Sequence, residues 1–216
     1  TRMQTLLAEA MTDGAFGLST GLVYAPGCYA ETDEIVELAK VVRQAGGMYF
    51  SHIRGESDSV LEAAQEAITV GERSGVAVQI SHLKTAGRDN WEKTPALLDL
   101  LDQANARGLD VTGDMYPYTA GATSLGALLP PRVHEGGLTK LLPRLRDAQV
   151  RTRIRRDIEH GVDDWWNPAR AAGDHRCHHA LHAGRRGGQV GADPALHLAA
   201  RRDGGSDAGL CADPCC

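Results

Sequence analysis

The sequence predicts an α/β fold with a parallel sheet, and three observations lead to that prediction. Amphipathic helix patterns alternate with short apolar runs, the helix patterns end at glycine, and the units recur about every 30 residues. No glycine pattern typical of nucleotide binding follows a strand, which weighs against an open doubly wound sheet that binds nucleotides. The repetition of the unit favours a barrel. Since a full (β/α)₈ barrel takes ~250 residues, the four visible strands predict about half a barrel.

Four strands and four helices are predicted along the first 118 residues. The strands are predicted at residues 16–20, 48–51, 76–81 and 109–114. The helix patterns cover residues 1–10, 32–45, 57–74 and 94–107, and the last three end at Gly46, Gly75 and Gly108. We expect the hydroxyl of Thr32 to cap the second helix. We expect four residues of the last helix to face inward, namely Leu97, Leu98, Leu101 and Ala104.

Composition limits the classes of protein to which the chain can belong. The 216 residues are enough for one domain with a core, and 42% hydrophobic with 24% charged residues is ordinary for a globular protein. A formal net charge of -5 argues against nucleic-acid binding, and no apolar run reaches the ~18 residues of a membrane span. The missing initiator Met suggests a start inside a longer protein. With one cysteine in the first 176 residues and no signal peptide, we expect a reducing, cytoplasmic setting.

The last segment, from Asp174 to Cys216, differs from the rest of the chain. It holds four of the five cysteines and five of the nine histidines, and it lacks Ile, Phe, Tyr, Trp, Met, Lys, Glu, Thr and Asn. Because it has no helical or strand period, we predict a domain over residues 1–172 and a disordered or out-of-frame tail over residues 173–216. A metal-binding tail is the alternative, but the spacing of its histidines and cysteines fits no zinc pattern.

Two strand ends carry near copies of one motif, SHIR and SHLK. Its histidines, His52 and His82, are separated by one strand–helix unit, so adjacent parallel strands place them side by side at the carboxyl edge of the sheet. Two imidazoles there can share a divalent metal ion, at ~2.0–2.1 Å for zinc. Arg54 and Lys84 follow at equivalent positions and can bind an anionic substrate group. The alternative is structural: partly buried histidines and solvated cations.

Four longer blocks resemble the N-acyl-D-amino-acid deacylases of the amidohydrolase superfamily. They read GAFGLSTGLVY followed by Pro-Gly, YFSHIRGE, QISHLKTAG and GLDVTGDMYPYTAG, and the similarity runs over residues 1–172. The resemblance implies a partial (β/α)₈ barrel of the TIM and amidohydrolase kind, with zinc at its top. It implies zinc binding by His52 and His82. It implies a substrate site lined by Tyr24, Lys84 and Tyr116, to which we add Arg54 because its place in the first motif is equivalent to that of Lys84 in the second.

The activity implied by the resemblance is zinc-dependent hydrolysis of a linear amide in a small molecule, an N-acyl-D-amino acid. The family's His-x-His pair, its ligand cysteine and its general-base aspartate have no counterpart in this chain, so no catalytic residue is assigned. Asp114 is on the wrong strand to replace that aspartate. The alternatives are a cyclic amidohydrolase, such as a dihydroorotase or hydantoinase, and a truncated product without activity.

Overall fold

The computed structural model describes residues 1–118, 122–162 and 165 and has one four-stranded parallel sheet. Its strands are β1 (Gly17–Gly21), β2 (Met48–His52), β3 (Ala77–Ile80) and β4 (Val111–Gly113), paired in chain order. Met48 lies opposite both Gly17 and Ala77, and Val78 lies opposite Val111. The predicted fold class and the side-by-side order of the strands are confirmed.

A helix precedes each strand. These helices are α1 (Arg2–Thr12), α2 (Thr32–Gln44), α3 (Val60–Ser74) and α4 (Thr94–Ala106). Just after the last three, Gly46, Gly75 and Gly108 have φ angles of 73°, 73° and 88°. Glycine adopts this left-handed backbone at little cost, and the conformation lets the chain leave the helix and turn into the next strand.

Three predicted details of the helices are wrong. Thr32 does not cap α2: it lies inside the helix, and its hydroxyl donates to Glu66 Oε1 at 2.8 Å. The third helix begins at Val60 rather than at residue 57, because residues 57–59 form a bend and a turn. Leu98 is 48% exposed, whereas Leu97, Leu101 and Ala104 are buried as predicted, so the buried face of α4 is narrower than the predicted one.

The core lies between one face of the sheet and these helices. Tyr49, Val78 and Ile80 project from β2 and β3 to that face, and each is 0% exposed. They pack in one cluster with apolar side chains of α2, α3 and α4. Burial of this apolar area is the main favourable contribution to folding. The helix residues at its centre include Ile35, Val36, Ala39, Val42, Val60, Ala64, Ile68 and Leu97.

The other face of the sheet is less covered by the described residues. Register aligns Ser19, Phe50, Gln79 and Thr112 across the four strands, and each of them is half-buried or exposed. His52 belongs to this face, because side chains alternate along β2 and His52 is two positions from Phe50. The histidine therefore points away from the helices.

After β4 the chain forms a smaller cluster of helices. These are α5 (Pro131–His134), α6 (Leu138–Arg146) and α7 (Ala148–His160), preceded by a 3-10 turn at Leu125–Leu128. Val133, Leu141 and Ile154 are buried between them. No described helix has the length and apolar character to cross a bilayer. The predicted tail at 173–216 and its boundary lie outside the described residues.

Replacing Leu97 by alanine should lower the free energy of unfolding by about 2–5 kcal/mol, because it leaves a cavity in the core. Leu98→Ala is the matched control: it makes the same change in the same helix at an exposed position and should cost less than about 1 kcal/mol. Urea denaturation followed by circular dichroism measures both values. Equal losses would contradict the orientation of α4.

Candidate metal centre

Two histidine rings meet at the carboxyl edge of the sheet. His52 is the last residue of β2, and His82 follows the end of β3 by two positions. Because these strands are adjacent and parallel, the ring centroids lie 4.4 Å apart, with the rings at 74° to each other. The structure thus brings together the two predicted metal ligands, at the edge where barrel active sites lie. Their binding of a metal remains a prediction.

The backbone at His82 is held in an unusual conformation. Among the described residues, His82 is the one non-glycine with a positive φ, 41°. Left-handed backbone costs an L-residue of this kind roughly 1–2 kcal/mol. Asp114 stabilises it: Asp114 Oδ1 accepts from the His82 N–H at 2.6 Å, and the Asp114 carbonyl accepts from the Leu83 N–H at 2.7 Å. Asp114 Oδ2 accepts from Gln79 Nε2 at 2.8 Å, so both carboxylate oxygens have structural partners.

A buried carboxylate lies beside the histidines. The Glu56 side chain, in the loop between β2 and α3, is 6% exposed, and its Oε1 is 2.9 Å from His82 Nδ1 and 2.5 Å from Lys84 Nζ. Burial alone raises the pKa of Glu56. The hydrogen bond from His82 and the positive charges of Lys84 and His52 outweigh that effect and lower the pKa to about 2. Glu56 is therefore ionised at neutral pH.

His52, Glu56 and His82 each place one ligand atom within 4.8 Å of the others. Imidazole nitrogen and carboxylate oxygen are donors that zinc accepts, and its ~2.0–2.1 Å bonds put tetrahedral ligands ~3.4 Å apart. The ligand atoms are therefore grouped on the scale of a metal site, and the chemistry of these side chains fits zinc. The sequence analysis missed Glu56. The feature of the sequence that could have indicated Glu56 is an acidic residue four positions after His52.

Lys84 and two tyrosines surround the histidine pair. Lys84 Nζ lies 3.0 Å from His82 Nδ1 and 5.4 Å from the centroid of the Tyr116 ring. The ring centroid of Tyr116 is 6.2 Å from that of His82, and that of Tyr24 is 5.0 Å from that of His52. Three of the four predicted substrate-lining residues therefore lie at the site. Their contact with a substrate remains a prediction.

Arg54 makes a different set of contacts. Its guanidinium donates to both carboxylate oxygens of Glu66, at 3.0 and 2.9 Å, and to the carbonyls of Cys28 and Ala30, each at 2.8 Å. Arg54 thereby ties the loop after β1 to helix α3. These contacts give Arg54 a structural role as a paired cation, not as the solvated one of the alternative interpretation, and its predicted contact with a substrate carboxylate remains a prediction.

Known enzymes are similar to this chain. It is 43% identical over 133 residues to N-acyl-D-glutamate deacylase from Alcaligenes xylosoxydans xylosoxydans, a match that covers 62% of this chain and 27% of that protein. It is 41% identical over 123 residues to D-aminoacylase from the same organism, covering 57% of this chain and 25% of the relative. The chain thus spans about a quarter of the length of the curated relatives that it matches. No protein-family model matches it.

Solved structures give the same result. A crystal structure of D-aminoacylase, described as defining a subset of amidohydrolases, is 39% identical with a TM-score of 0.53, covering 55% of this chain and 25% of that one. N-acyl-D-glutamate deacylase from Bordetella bronchiseptica, complexed with zinc and a phosphonate inhibitor, is also 39% identical with a TM-score of 0.53, covering 54% and 24%. The prediction of a partial (β/α)₈ barrel is confirmed. Over about half its length, the chain is homologous to the D-aminoacylase group of amidohydrolases, as its motifs predict.

Proposed function

We propose that this chain forms part of a zinc-dependent hydrolase that cleaves the linear amide of N-acyl-D-amino acids. The observation that carries the proposal is the convergence of His52 and His82, with an ionised Glu56, at the carboxyl edge of a parallel sheet. The names of the relatives, all of them deacylases or aminoacylases of this type, support the same substrate class. Since the chain spans about a quarter of their length, it supplies only some of the groups that the reaction needs.

The charges at the site suit an anionic substrate. Glu56 carries one negative charge and Lys84 one positive charge, and they cancel as an ion pair with 2.5 Å between Oε1 and Nζ. A divalent ion on two neutral histidines would leave two positive charges in a site that is largely shielded from water. An N-acyl amino acid carries at least one carboxylate, so the electrostatic attraction between this substrate and the site is strong at low effective dielectric.

Each residue of the site has a proposed task. Bound zinc would polarise the acyl carbonyl and lower the pKa of a coordinated water toward ~7. His52 and His82 would hold the ion, and Lys84, 26% exposed at its side chain, would offer a donor to the substrate carboxylate. The hydroxyls of Tyr24 and Tyr116 can donate to the scissile carbonyl or to that carboxylate. Together these groups orient the substrate.

The 216-residue chain should bind one zinc ion. His52→Ala and His82→Ala should each weaken zinc binding by ~10–100-fold or more, because loss of a residue that merely supports a ligand already has an effect of that size. His160→Ala is the control, because His160 is exposed at the end of α7 and bonds only the Arg156 carbonyl among its described contacts. Competition with a chromogenic chelator measures the affinities. Zinc binding that is unchanged in both the His52→Ala and the His82→Ala variant would contradict the proposed site.

Zinc-loaded, the chain should hydrolyse N-acetyl-D-methionine no faster than its His82→Ala variant. Two histidines do not make the usual three-ligand catalytic site, and loss of the general base costs ~10²–10⁴-fold. Within the described residues, Glu56 is the one acidic side chain grouped with the histidines, and it already accepts from Lys84 and His82. Release of D-methionine measures the rate. Strong activity abolished by His82→Ala would show that this chain is catalytically sufficient.

A further inference from the structure

Glu56 contacts His82 through the ring nitrogen nearer the backbone. Its Oε1 lies 2.9 Å from Nδ1, and the two side chains are only 6% and 11% exposed. A carboxylate is an acceptor only, so this contact is a hydrogen bond when Nδ1 carries the proton. A neutral imidazole with its proton on Nδ1 has its lone pair on Nε2, the other end of the ring.

Lys84 competes for the same nitrogen. Its Nζ is 3.0 Å from His82 Nδ1 and 2.5 Å from Glu56 Oε1. An ammonium only donates, so a bond from Lys84 to Nδ1 would require the opposite tautomer, with the proton on Nε2 and no lone pair there for a metal. Glu56 removes this conflict, because its oxygen can accept from both Lys84 and Nδ1 at once.

The backbone that carries Glu56 is fixed by the loop that carries His82. The Glu56 carbonyl accepts from the Ala86 N–H at 2.6 Å. Nearby, Asn90 Nδ2 donates to Asp58 Oδ1 at 3.1 Å, and Asn90 is 4% exposed. These contacts join the loops after β2 and β3, so the Glu56 carboxylate keeps its position relative to the His82 ring.

We propose that Glu56 is a positioning residue. It accepts a hydrogen bond from the Nδ1–H of His82 and so keeps the Nε2 lone pair available for the metal, instead of bonding the metal itself. Histidines that ligate metals usually donate their second N–H to a carboxylate or carbonyl, which fixes the tautomer and the ring orientation. The inference rests on the proposed metal site. It goes further in assigning different tasks to the three clustered side chains.

The first test uses the metal-free chain, so it does not depend on zinc binding. Two-bond ¹⁵N–¹H correlation spectra at mildly alkaline pH report the tautomer of His82, with His82→Ala used for assignment. We expect the Nδ1–H form in the wild type and in Glu56→Gln, whose side-chain oxygen still accepts. We expect a shift toward Nε2–H in Glu56→Ala, because Lys84 then donates to Nδ1. An unchanged tautomer in Glu56→Ala would overturn the proposal.

The second test uses cobalt(II) in place of zinc. If Glu56 acts through His82, Glu56→Ala should weaken metal binding ~10-fold or more while the visible absorption bands of the bound ion keep their positions. Glu56→Gln should recover part of the affinity. Glu62→Ala, at an exposed position of α3, is the matched control and should change neither quantity. Moved bands in Glu56→Ala and Glu56→Gln would identify Glu56 as a ligand and overturn the inference.

These outcomes separate the inference from the function on which it rests. A wild-type chain that binds no zinc, yet shows the tautomer change in Glu56→Ala, would refute the proposed function and leave the positioning of His82 supported. A wild-type chain that binds zinc as tightly as its Glu56→Ala variant would refute the positioning alone. Circular dichroism of each variant identifies any that fail to fold. If Glu56→Ala is among them, the wild type decides the tautomer test, because an Nε2–H form of His82 beside the intact Glu56 would overturn the proposal.

Discussion

The in-register parallel pairing of β2 with β3 is the constraint on which the site depends. Met48 lies opposite Ala77 and Ser51 opposite Ile80, so both strands reach the same edge of the sheet at the same height. A slip of one residue would turn His52 toward the helices and bring Ser51 to the other face. The buried side chains of Tyr49, Val78 and Ile80 oppose such a slip, because it would also move them out of the core. Core packing and site geometry are therefore set by the same alternation.

The buried charges make the site a coupled unit. An unpaired buried ion costs several kcal/mol, so the ionised Glu56 needs both of its partners, Lys84 and His82. Removing Lys84 would leave that charge with one hydrogen-bond partner and would also take away the cation proposed for the substrate. Effects of substitutions within this cluster should not add, since each side chain changes the environment of the others.

Much of the fold could be predicted from the sequence, because the signals are local. Glycine after a helix pattern fixes where the chain turns, and two repeated motifs fix where the histidines lie. The exposure of Leu98 could not be predicted: both Leu97 and Leu98 fit an apolar face of α4, and only packing decides which one is buried. The contacts of Glu56 and Arg54 could not be predicted for another reason. Their partners, Lys84 and Glu66, are chosen by loop geometry that no periodicity encodes.

The left-handed backbone at position 82 has a consequence for how this sequence can vary. Glycine at that position would adopt the same backbone at almost no cost, so relief of backbone strain alone would favour glycine there. The imidazole opposes that exchange, because glycine would leave the ionised Glu56 without one of its two partners. The φ of 41° thus marks a position where backbone strain and the contacts of the side chain favour different residues. Stabilising this protein by design should begin elsewhere, among helix and loop residues remote from the carboxyl edge of the sheet.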